Sequence, residues 1–258
     1  MTEELDYQRA FGGVGRLYGD TGWEKLQNSH AVVVGVGGVG SWAAEALVRT
    51  AVGSITLIDL DNVAESNTNR QLQAMTGEFG KPKIQVLAER FRRINPRVCV
   101  NLIEDFVDED NLADLIPDNA DVVLDCIDQV RVKAAICAFC KRKTIPVITS
   151  GAAGGRRDPS RIQCGDLGKI SGDPLLSKVR HTLRKKYGFP AAQGKTPAKK
   201  FGITAVFSDE PVVKSQSQCE IQTDGGLACA GYGSSVCMTA TTGMIAASLA
   251  LELMTKSK

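Results

Sequence analysis

The sequence lacks the features that would assign it to a protein class at a glance. Basic and acidic residues nearly balance, since 31 lysines and arginines stand against 29 aspartates and glutamates, a formal net charge of +2. The overall charge therefore says little about the partners of the protein. The N-terminal segment MTEELDYQRAFGG is acidic and contains no apolar run, so no signal peptide is predicted.

Half of a zinc-binding motif is also missing. Cys137 and Cys140 form a CxxC, but a structural zinc site usually needs a second pair of ligands, and no other cysteines are spaced that way. The pair falls in a predicted helix, Lys133–Arg142, where both side chains are expected to pack. We therefore predict no zinc, reduced thiols and a cytoplasmic location.

One long apolar stretch is present near the C-terminus. Val236–Met254 carries a single charged residue, Glu252, and is just long enough to span a membrane. Its many alanine, serine, threonine and glycine residues favour a tightly packed helix in the core of a soluble protein. We predict a final buried helix, with membrane association through residues 236–254 as the alternative.

Between residues 31 and 149, short β-branched runs alternate with longer helical patterns. The strand-like runs are Ala31–Gly35, Ser54–Asp59, Val98–Ile103, Asp121–Cys126 and Pro146–Thr149. The helical patterns between them are Val39–Thr50, Lys81–Ile94, Asn111–Ile116 and Gln129–Lys143. This alternation predicts an α/β fold, Rossmann-like and doubly wound, with a mainly parallel sheet. Because crossovers are right-handed, the carboxyl ends of the strands share one edge, where ligands bind.

The pattern changes after Gly151, although we treat residues 1–258 as one domain with halves at 1–150 and 151–258. A glycine-rich turn precedes a strand candidate at Arg161–Cys164 and a helix at Asp173–Tyr187. A Gly/Pro/Lys loop follows at about 186–201 and is predicted to be mobile. From Lys178 to Lys200 there are eight lysines or arginines and no acid, which indicates either a solvated loop or a polyanion contact.

A glycine loop is the strongest local signal. Gly35, Gly37 and Gly40 form GxGxxG between an apolar strand and the start of a helix. The first glycine permits the tight turn, the second lets backbone N–H groups approach phosphate, and the third lets helix and strand pack closely. Asp59, at the end of the next strand, sits where an acid hydrogen-bonds ribose. Up to this point, an NAD-dependent dehydrogenase fits as well as an ATP-binding enzyme.

Later motifs separate these alternatives. GxGGxG, D-x-D, N-x-N-R-Q, G-K-P-K, I-N-P and D-x-x-D occur in this order between Arg9 and Gly151. Together they resemble the ubiquitin-activating-enzyme-like superfamily, which includes the bacterial molybdopterin and thiamine sulfur-carrier adenylating enzymes. The resemblance implies one adenylating domain, in which ATP activates a carboxylate and pyrophosphate leaves.

The resemblance also implies roles for individual residues. Arg70 and Lys83 match the phosphate-contacting cations, Asn67 matches the polar residue near the α-phosphate, and Asp128 matches the acid that holds Mg²⁺. The implied nucleotide-binding set comprises Gly35, Gly37, Gly38, Gly40, Asp59, Asp61, Arg70, Gln71, Lys83, Asp128 and an arginine near the N-terminus, Arg16 or Arg9. In the superfamily that arginine reaches the ATP of the other subunit, which implies a homodimer with its interface in the second half of the chain.

Within the superfamily, one branch resembles the chain over nearly its whole length. The segments QRAFGG, SGAAGG and CAGYGSSVCMTATTG are similar to dehydratases, also described as cyclases, of tRNA threonylcarbamoyladenosine. This implies adenylation of the threonyl carboxylate of N6-threonylcarbamoyladenosine in tRNA, followed by ring closure with loss of AMP. The alternatives are adenylation of the C-terminal glycine of a ubiquitin-like or sulfur-carrier protein, and an NAD-dependent dehydrogenase.

The same resemblance suggests partners. The predicted RNA contacts are Arg156, Arg157, Lys185, Lys186, Lys199 and Lys200. tRNA is the expected nucleic-acid partner, and no DNA is expected. A sulfur-transfer protein partner and a monovalent cation near the glycine-rich hinge are further expectations. Cys229 is the best candidate for a reactive thiol, with a small buried residue as its alternative interpretation.

Overall fold

A single mixed sheet forms the centre of the molecule. The computed structural model describes residues 5–191, 199–213 and 232–256, within which the strands are β1 His30–Val34, β2 Ser54–Ile58, β3 Cys99–Ile103, β4 Val122–Asp125, β5 Val147–Ser150, β6 Ile162–Asp166 and β7 Thr204–Ser208. Their order is β3-β2-β1-β4-β5-β7-β6. Only β6, at one edge, is antiparallel to its neighbour. The predicted Rossmann-like, mainly parallel α/β sheet is confirmed.

Helices cover both faces of this sheet. In the described residues they are α1 Tyr7–Asn28, α2 Gly40–Arg49, α3 Lys83–Ile94, α4 Leu112–Leu115, α5 Val130–Lys143, α6 Pro174–Tyr187 and α7 Val236–Thr255. Side chains of α5 and α6 share one apolar cluster, and those of α2, α3 and α7 share the other. The central strands are buried on both faces, which is why their sequences read as continuous valine, isoleucine and leucine runs.

Local sequence signals set the bounds of α6, a helix that matters for the site. The Asp173 carboxylate accepts a hydrogen bond from the Leu176 N–H, 2.8 Å away, and so caps the helix N-terminus. Pro174 occupies the first helical position, where its missing N–H is not needed. Gly188 ends the helix in a left-handed conformation with φ +70°. Of the loop predicted at about 186–201, residues 186 and 187 belong to α6, and residues 192–198 lie outside the described residues.

The final apolar helix is α7, and it packs within the protein. By length and composition alone α7 could cross a membrane, yet Ala246, Ala247 and Ala250 are at most 1% exposed. A Cβ on Gly243 would lie 2.5 Å from the Val39 carbonyl oxygen, so the glycine permits close contact with α2. Small residues thus bring α7 against α2 and the middle of the sheet.

The CxxC cysteines also belong to the core. Cys137 and Cys140 lie in α5 and are fully buried in the cluster shared with α6. Burial raises the pKa of the Cys140 thiol to about 12 and raises that of Cys137 well above its ordinary value. Both side chains therefore pack as small neutral groups at neutral pH.

A buried carboxylate joins α2 to α3. Glu45 is 5% exposed and accepts hydrogen bonds from Arg90 Nε at 2.5 Å and Arg49 Nε at 2.8 Å. Burial raises the pKa of Glu45, but the hydrogen bonds and charges of Arg90 and Arg49 outweigh it, so the net pKa is lowered. The ion pairs therefore stabilise the fold above the unfolded-state pKa, and this stabilisation is lost as the pH falls through the folded-state value.

We expect Glu45→Gln to lower the free energy of unfolding by about 1.5–3 kcal/mol at neutral pH, because a charged hydrogen-bond acceptor is lost. Urea unfolding across a pH series measures this difference, which should shrink as the medium becomes acidic. The control is Glu89→Gln, an exposed carboxylate on α3. An equal loss at every pH would contradict the ion-pair explanation.

Candidate nucleotide site

A cavity of about 380 Å³ opens at the carboxyl ends of the parallel strands. Loops that follow β1, β2, β4 and β5 supply most of its wall, together with the start of α6. This is the edge at which the sequence predicted ligand binding. Most of the predicted nucleotide-binding set lies in this wall, namely Gly35, Gly37, Gly38, Asp59, Asp61, Arg70, Gln71, Lys83 and Asp128. Gly40, Arg9 and Arg16 do not.

The glycine loop after β1 has the geometry that phosphate binding requires. Gly35 has φ +82°, a conformation that side chains rarely adopt. A Cβ on Gly40 would lie 1.9 Å from the Gly35 carbonyl oxygen, so this glycine sits behind the wall and brings α2 close to β1. A Cβ on Gly37 would meet only Gln71, at 3.8 Å, which leaves the N-terminus of α2 open to an anion.

Asp59 fixes the rear of the glycine loop. One carboxylate oxygen accepts from the Val36 N–H at 2.8 Å, and the other accepts from the Asp61 N–H at 2.9 Å. Burial raises the pKa of Asp59 and outweighs the lowering by Lys83 and the two N–H groups. Each oxygen retains one lone pair that could accept from a ribose hydroxyl. A buried acid with a raised pKa in a cavity is a common feature of functional sites.

Lys83 places an ammonium group in the wall from the first position of α3. Its side chain is 6% exposed and its Nζ lies 2.6 Å from Asp61 Oδ2. The Lys83 N–H also donates to the Asp61 carbonyl, which ties the start of α3 to the end of β2. Asp61 is itself 66% exposed, so the pair keeps one side open to solvent. An incoming phosphate can therefore compete for this ammonium.

Arg70 enters the wall from the turn Ser66–Gln71. Its Nη1 donates to the Ser66 carbonyl at 2.6 Å and to Asn69 Oδ1 at 2.9 Å, which holds the guanidinium along the turn. The Arg70 carbonyl in turn accepts from Trp42 Nε1 of α2. Asn67 lies outside the cavity wall, where its side-chain oxygen accepts from the Ala64 N–H at 3.2 Å. Asn67 is therefore not among the residues that face the cavity, and its contact with the α-phosphate stays a prediction.

Gln73 supports the site although the motifs did not point to it. Its fully buried amide donates to the Val36 carbonyl at 2.8 Å and to Gln71 Oε1 at 3.3 Å. It thereby connects the glycine loop to Gln71, whose own amide nitrogen is the group nearest to Gly37. Its one signal in the sequence was its position two residues after the N-x-N-R-Q motif.

A buried ion pair holds the loop that carries Asp128. Lys133 Nζ lies 2.9 Å from Asp125 Oδ2, and both side chains are 0% exposed. The same ammonium donates to the Ile127 carbonyl at 3.0 Å, in the loop between β4 and α5. Thr149 of β5 donates its hydroxyl to Asp125 at 2.6 Å. The pair is therefore a positioning element for Asp128, which the sequence analysis missed.

A second buried ion pair corrects one prediction. Arg156 is 2% exposed, and its Nη1 lies 2.9 Å from Asp173 Oδ2, the carboxylate that caps α6. The guanidinium also donates to the carbonyls of Ala152 and Glu210. Arg156 thus anchors the glycine-rich hinge to α6 and is unavailable to an RNA phosphate in this structure. The other predicted RNA contacts are exposed: Arg157, Lys185, Lys186, Lys199 and Lys200.

The cavity wall includes one cysteine, Cys126, and its thiol is not activated. Burial raises the pKa of Cys126 to about 12, with the nearby Asp125 charge acting in the same direction. A thiol with so high a pKa is a poor nucleophile at neutral pH. Cys229, the thiol that the sequence pointed to, lies outside the described residues.

The arrangement brings cations, N–H donors and acids into one cavity. Arg70, Lys83 and the N-terminus of α2 surround space that suits polyanionic phosphates, while Asp59 suits ribose. Asp128 lies in the loop between β4 and α5, which borders the glycine loop at Gly35. Nicotinamide cofactors do not require two cations at the phosphate end, so the site favours a nucleoside triphosphate.

Comparison with known proteins agrees with this geometry. A sequence model of the ThiF family matches residues 7–257. The tRNA threonylcarbamoyladenosine dehydratase of Haemophilus influenzae is 45% identical over 254 residues, covering 98% of this chain and 96% of that protein. The tRNA N6-threonylcarbamoyladenosine dehydratase of E. coli, solved with AMP and with ATP, superposes with TM-scores of 0.87 and 0.85 at 43% and 42% identity. Each superposition covers 98% of this chain and 97% of the other.

A sulfur-carrier activator matches less of the chain. The molybdopterin-synthase adenylyltransferase of Haemophilus influenzae is 36% identical over 151 residues, which cover 58% of this chain and 60% of that protein. The dehydratases, by contrast, match the second half of the chain as well as the nucleotide-binding half.

Proposed function

The chain belongs to the ThiF family, and we propose that it catalyses the ATP-dependent dehydration of N6-threonylcarbamoyladenosine in tRNA. The observation that carries this proposal is the match to dehydratases across nearly the whole of both chains, including one solved with ATP. The cavity supports it, because cations and N–H donors face the space where phosphates would lie. Family membership removes the NAD-dependent dehydrogenase from the alternatives.

The reaction joins two anions, and the oxygen that the nucleoside loses leaves in AMP. The threonyl carboxylate attacks the α-phosphorus of ATP, pyrophosphate leaves, and an acyl-adenylate forms. An internal nucleophile of the modification then attacks the acyl carbon, loses its proton, and displaces AMP, which retains one of the former carboxylate oxygens. Because this attack is intramolecular, it has a high effective concentration and needs no cysteine nucleophile. Cys126 accordingly stays protonated.

Residues of the cavity have distinct parts in the first step. Lys83 and Arg70 neutralise the phosphates and stabilise the charge that grows on them in the transition state. Asp59 holds the ribose, and the glycine loop presents N–H groups to the phosphates. Gln73 and the Asp125–Lys133 pair orient the loops on the two sides of the nucleotide.

Mg²⁺ is the metal that the family implies, and the donor set fits it. In the described part of the chain no three His, Cys, Asp or Glu side chains cluster as a metal site. Mg²⁺ commonly binds through one or two carboxylates, with phosphate oxygens and water completing its shell. Asp128 is the carboxylate that would hold it, and the ion would supply charge neutralisation on the leaving pyrophosphate.

A homodimer completes the proposal. Arg9 and Arg16 are both exposed on α1, and no residue before Val34 contributes to the cavity wall among the described residues. This placement supports an arginine that acts on the ATP of the other subunit. The exposed residues predicted to contact RNA would bind the tRNA. The corresponding location is the cytoplasm. A sulfur-transfer partner and a monovalent cation at the hinge stay predictions.

Release of AMP from ATP and Mg²⁺ tests the function. We would measure it with tRNA carrying N6-threonylcarbamoyladenosine, with unmodified tRNA, and with a carrier protein ending in Gly-Gly. The proposal expects AMP with the modified tRNA alone, together with loss of one water mass from the nucleoside. Turnover with the carrier protein and none with tRNA would replace it with carrier adenylation.

A further inference from the structure

A shallow hollow of about 610 Å³ lies at the edge of the sheet opposite to the nucleotide cavity. It is formed where α5 and α6 end and where the chain approaches the start of β7. Three cations and three aromatic rings contribute to its lining, and no acid lies among the described residues that form it. These residues are Lys141, Arg142, Lys200, Tyr187, Phe189 and Phe201.

The helix α6 connects the two places. Pro174, Leu175 and Lys178, in its first turns, belong to the wall of the nucleotide cavity, and Tyr187, its last residue, belongs to the hollow. A helix of this length spans about 20 Å, at 1.5 Å per residue. The two sites are therefore at opposite ends of one rigid element.

One face of α6 is basic over about 10 Å of this distance, from the cavity wall to near the hollow. Lys178, His181 and Lys185 occupy positions i, i+3 and i+7, and all three are exposed. Residues at this spacing lie on the same side of a helix. The opposite side, with Val179 and Leu183, is buried against α5. The helix contains no acidic residue to neutralise the ridge.

Neighbouring charges single out this ridge from other basic residues. Lys186 pairs with Glu109, which also accepts from Arg131 at 2.6 Å, so the ammonium of Lys186 already has a carboxylate partner. Arg184 lies over the Phe201 ring, 5.4 Å from its centroid, and donates to the Pro190 carbonyl at 3.1 Å. Arg184 thus supports two residues that line the hollow, whereas Lys178, His181 and Lys185 are exposed to solvent.

We propose that the ridge Lys178–His181–Lys185 and the hollow form one track for the phosphate backbone of the tRNA substrate. This rests on the proposed function, which places the modified nucleotide in the cavity at the Lys178 end. The hollow, about 20 Å away, then contacts phosphates of the stem that leads away from the modified nucleotide. Phe201 is 3% exposed and packs edge-on against Phe189, so its ring is not available for a base to stack on, and we assign the contact to the cations of the hollow.

The test is tRNA binding as a function of salt. The variant Lys141→Gln/Arg142→Gln/Lys200→Gln removes the cations of the hollow, and His181→Gln/Lys185→Gln removes the far part of the ridge. For each cation that neutralises a phosphate, its removal should weaken binding and lower the slope of log K against log salt by about 0.9 on a duplex region. The matched control is Arg92→Gln/Arg93→Gln, two exposed cations of α3 on the other face of the sheet.

RNA length gives the second arm of the test. The hollow variant should bind a minimal modified stem–loop, too short to span the track, as tightly as the parent does, and should bind full-length modified tRNA more weakly. AMP release at saturating full-length tRNA should remain at the parent rate. Unchanged salt slopes, or equal changes in the α3 control, would overturn the track while AMP release with modified tRNA left the proposed function intact. Failure of the parent chain to release AMP with modified tRNA would reject the function itself.

Discussion

Replacement of Lys83 by methionine is expected to lower the rate of AMP formation about 10²–10³-fold, the loss typical of removing one charge-stabilising group from a preorganised site. The ammonium is 6% exposed, faces the cavity and has Asp61 as its partner at 2.6 Å. Methionine keeps the length and apolar volume of the side chain and removes only the charge. The measurement is single-turnover AMP release at saturating ATP and modified tRNA.

The chain provides a close control for this substitution. Lys81 lies two residues earlier, is 52% exposed and pairs with Glu78 at the surface. Lys81→Met should leave the rate unchanged and cost little stability, as exposed ion pairs generally contribute at most about 1 kcal/mol. If both substitutions lowered AMP release equally, the loss would arise from the local fold of the segment and not from charge at the phosphates.

Replacement of Lys133 by methionine should produce the largest loss of stability, about 3–5 kcal/mol in the free energy of unfolding, because it leaves the Asp125 carboxylate buried without its counter-charge. Both side chains are 0% exposed, and Asp125 Oδ1 has no hydrogen-bond partner among the described residues. Urea unfolding at neutral pH measures the change.

A double substitution separates the charge from the packing. Asp125→Asn combined with Lys133→Met removes both charges and should recover part of the loss, since replacing a whole buried pair is often close to neutral. If the double variant were less stable than Lys133→Met alone, Asp125 would stabilise the protein through contacts other than the ion pair, such as the hydrogen bond that it accepts from Thr149. The double-mutant cycle reports the coupling energy of the pair directly.

The sequence predicted the strands near the site well because each is short, apolar and bounded by turn residues. β1, β2, β4 and β5 all begin and end close to the predicted positions. The predicted wall residues also meet, since parallel strands bring their carboxyl ends to one edge. In contrast, α1 was not predicted, because its glycines interrupt the helical pattern and Gly19 kinks the helix with φ +74°. Packing of Tyr7 and Phe11 near Trp23 stabilises the helix, although its local sequence has a low helix propensity.

Buried charges were the other feature that the sequence concealed. Arg156 looked like part of a basic surface because the next residue, Arg157, is also basic and is exposed. Its partner Asp173 lies 17 residues later and meets it only after the hinge folds against α6. The same applies to Asp125 and Lys133, since nothing in a local pattern distinguishes a charge that will be paired in the core from one that will face water.

The position of α7 has a consequence for the order in which the protein is made. This helix is the last part of the described chain to leave the ribosome, yet it packs against α2, directly beneath the glycine loop, and against three central strands. Until it emerges, this apolar side of the sheet is covered only in part, by α2 and α3. The nucleotide-binding half therefore completes its packing only after the residues of α7 have been added, well after β5 has been synthesised.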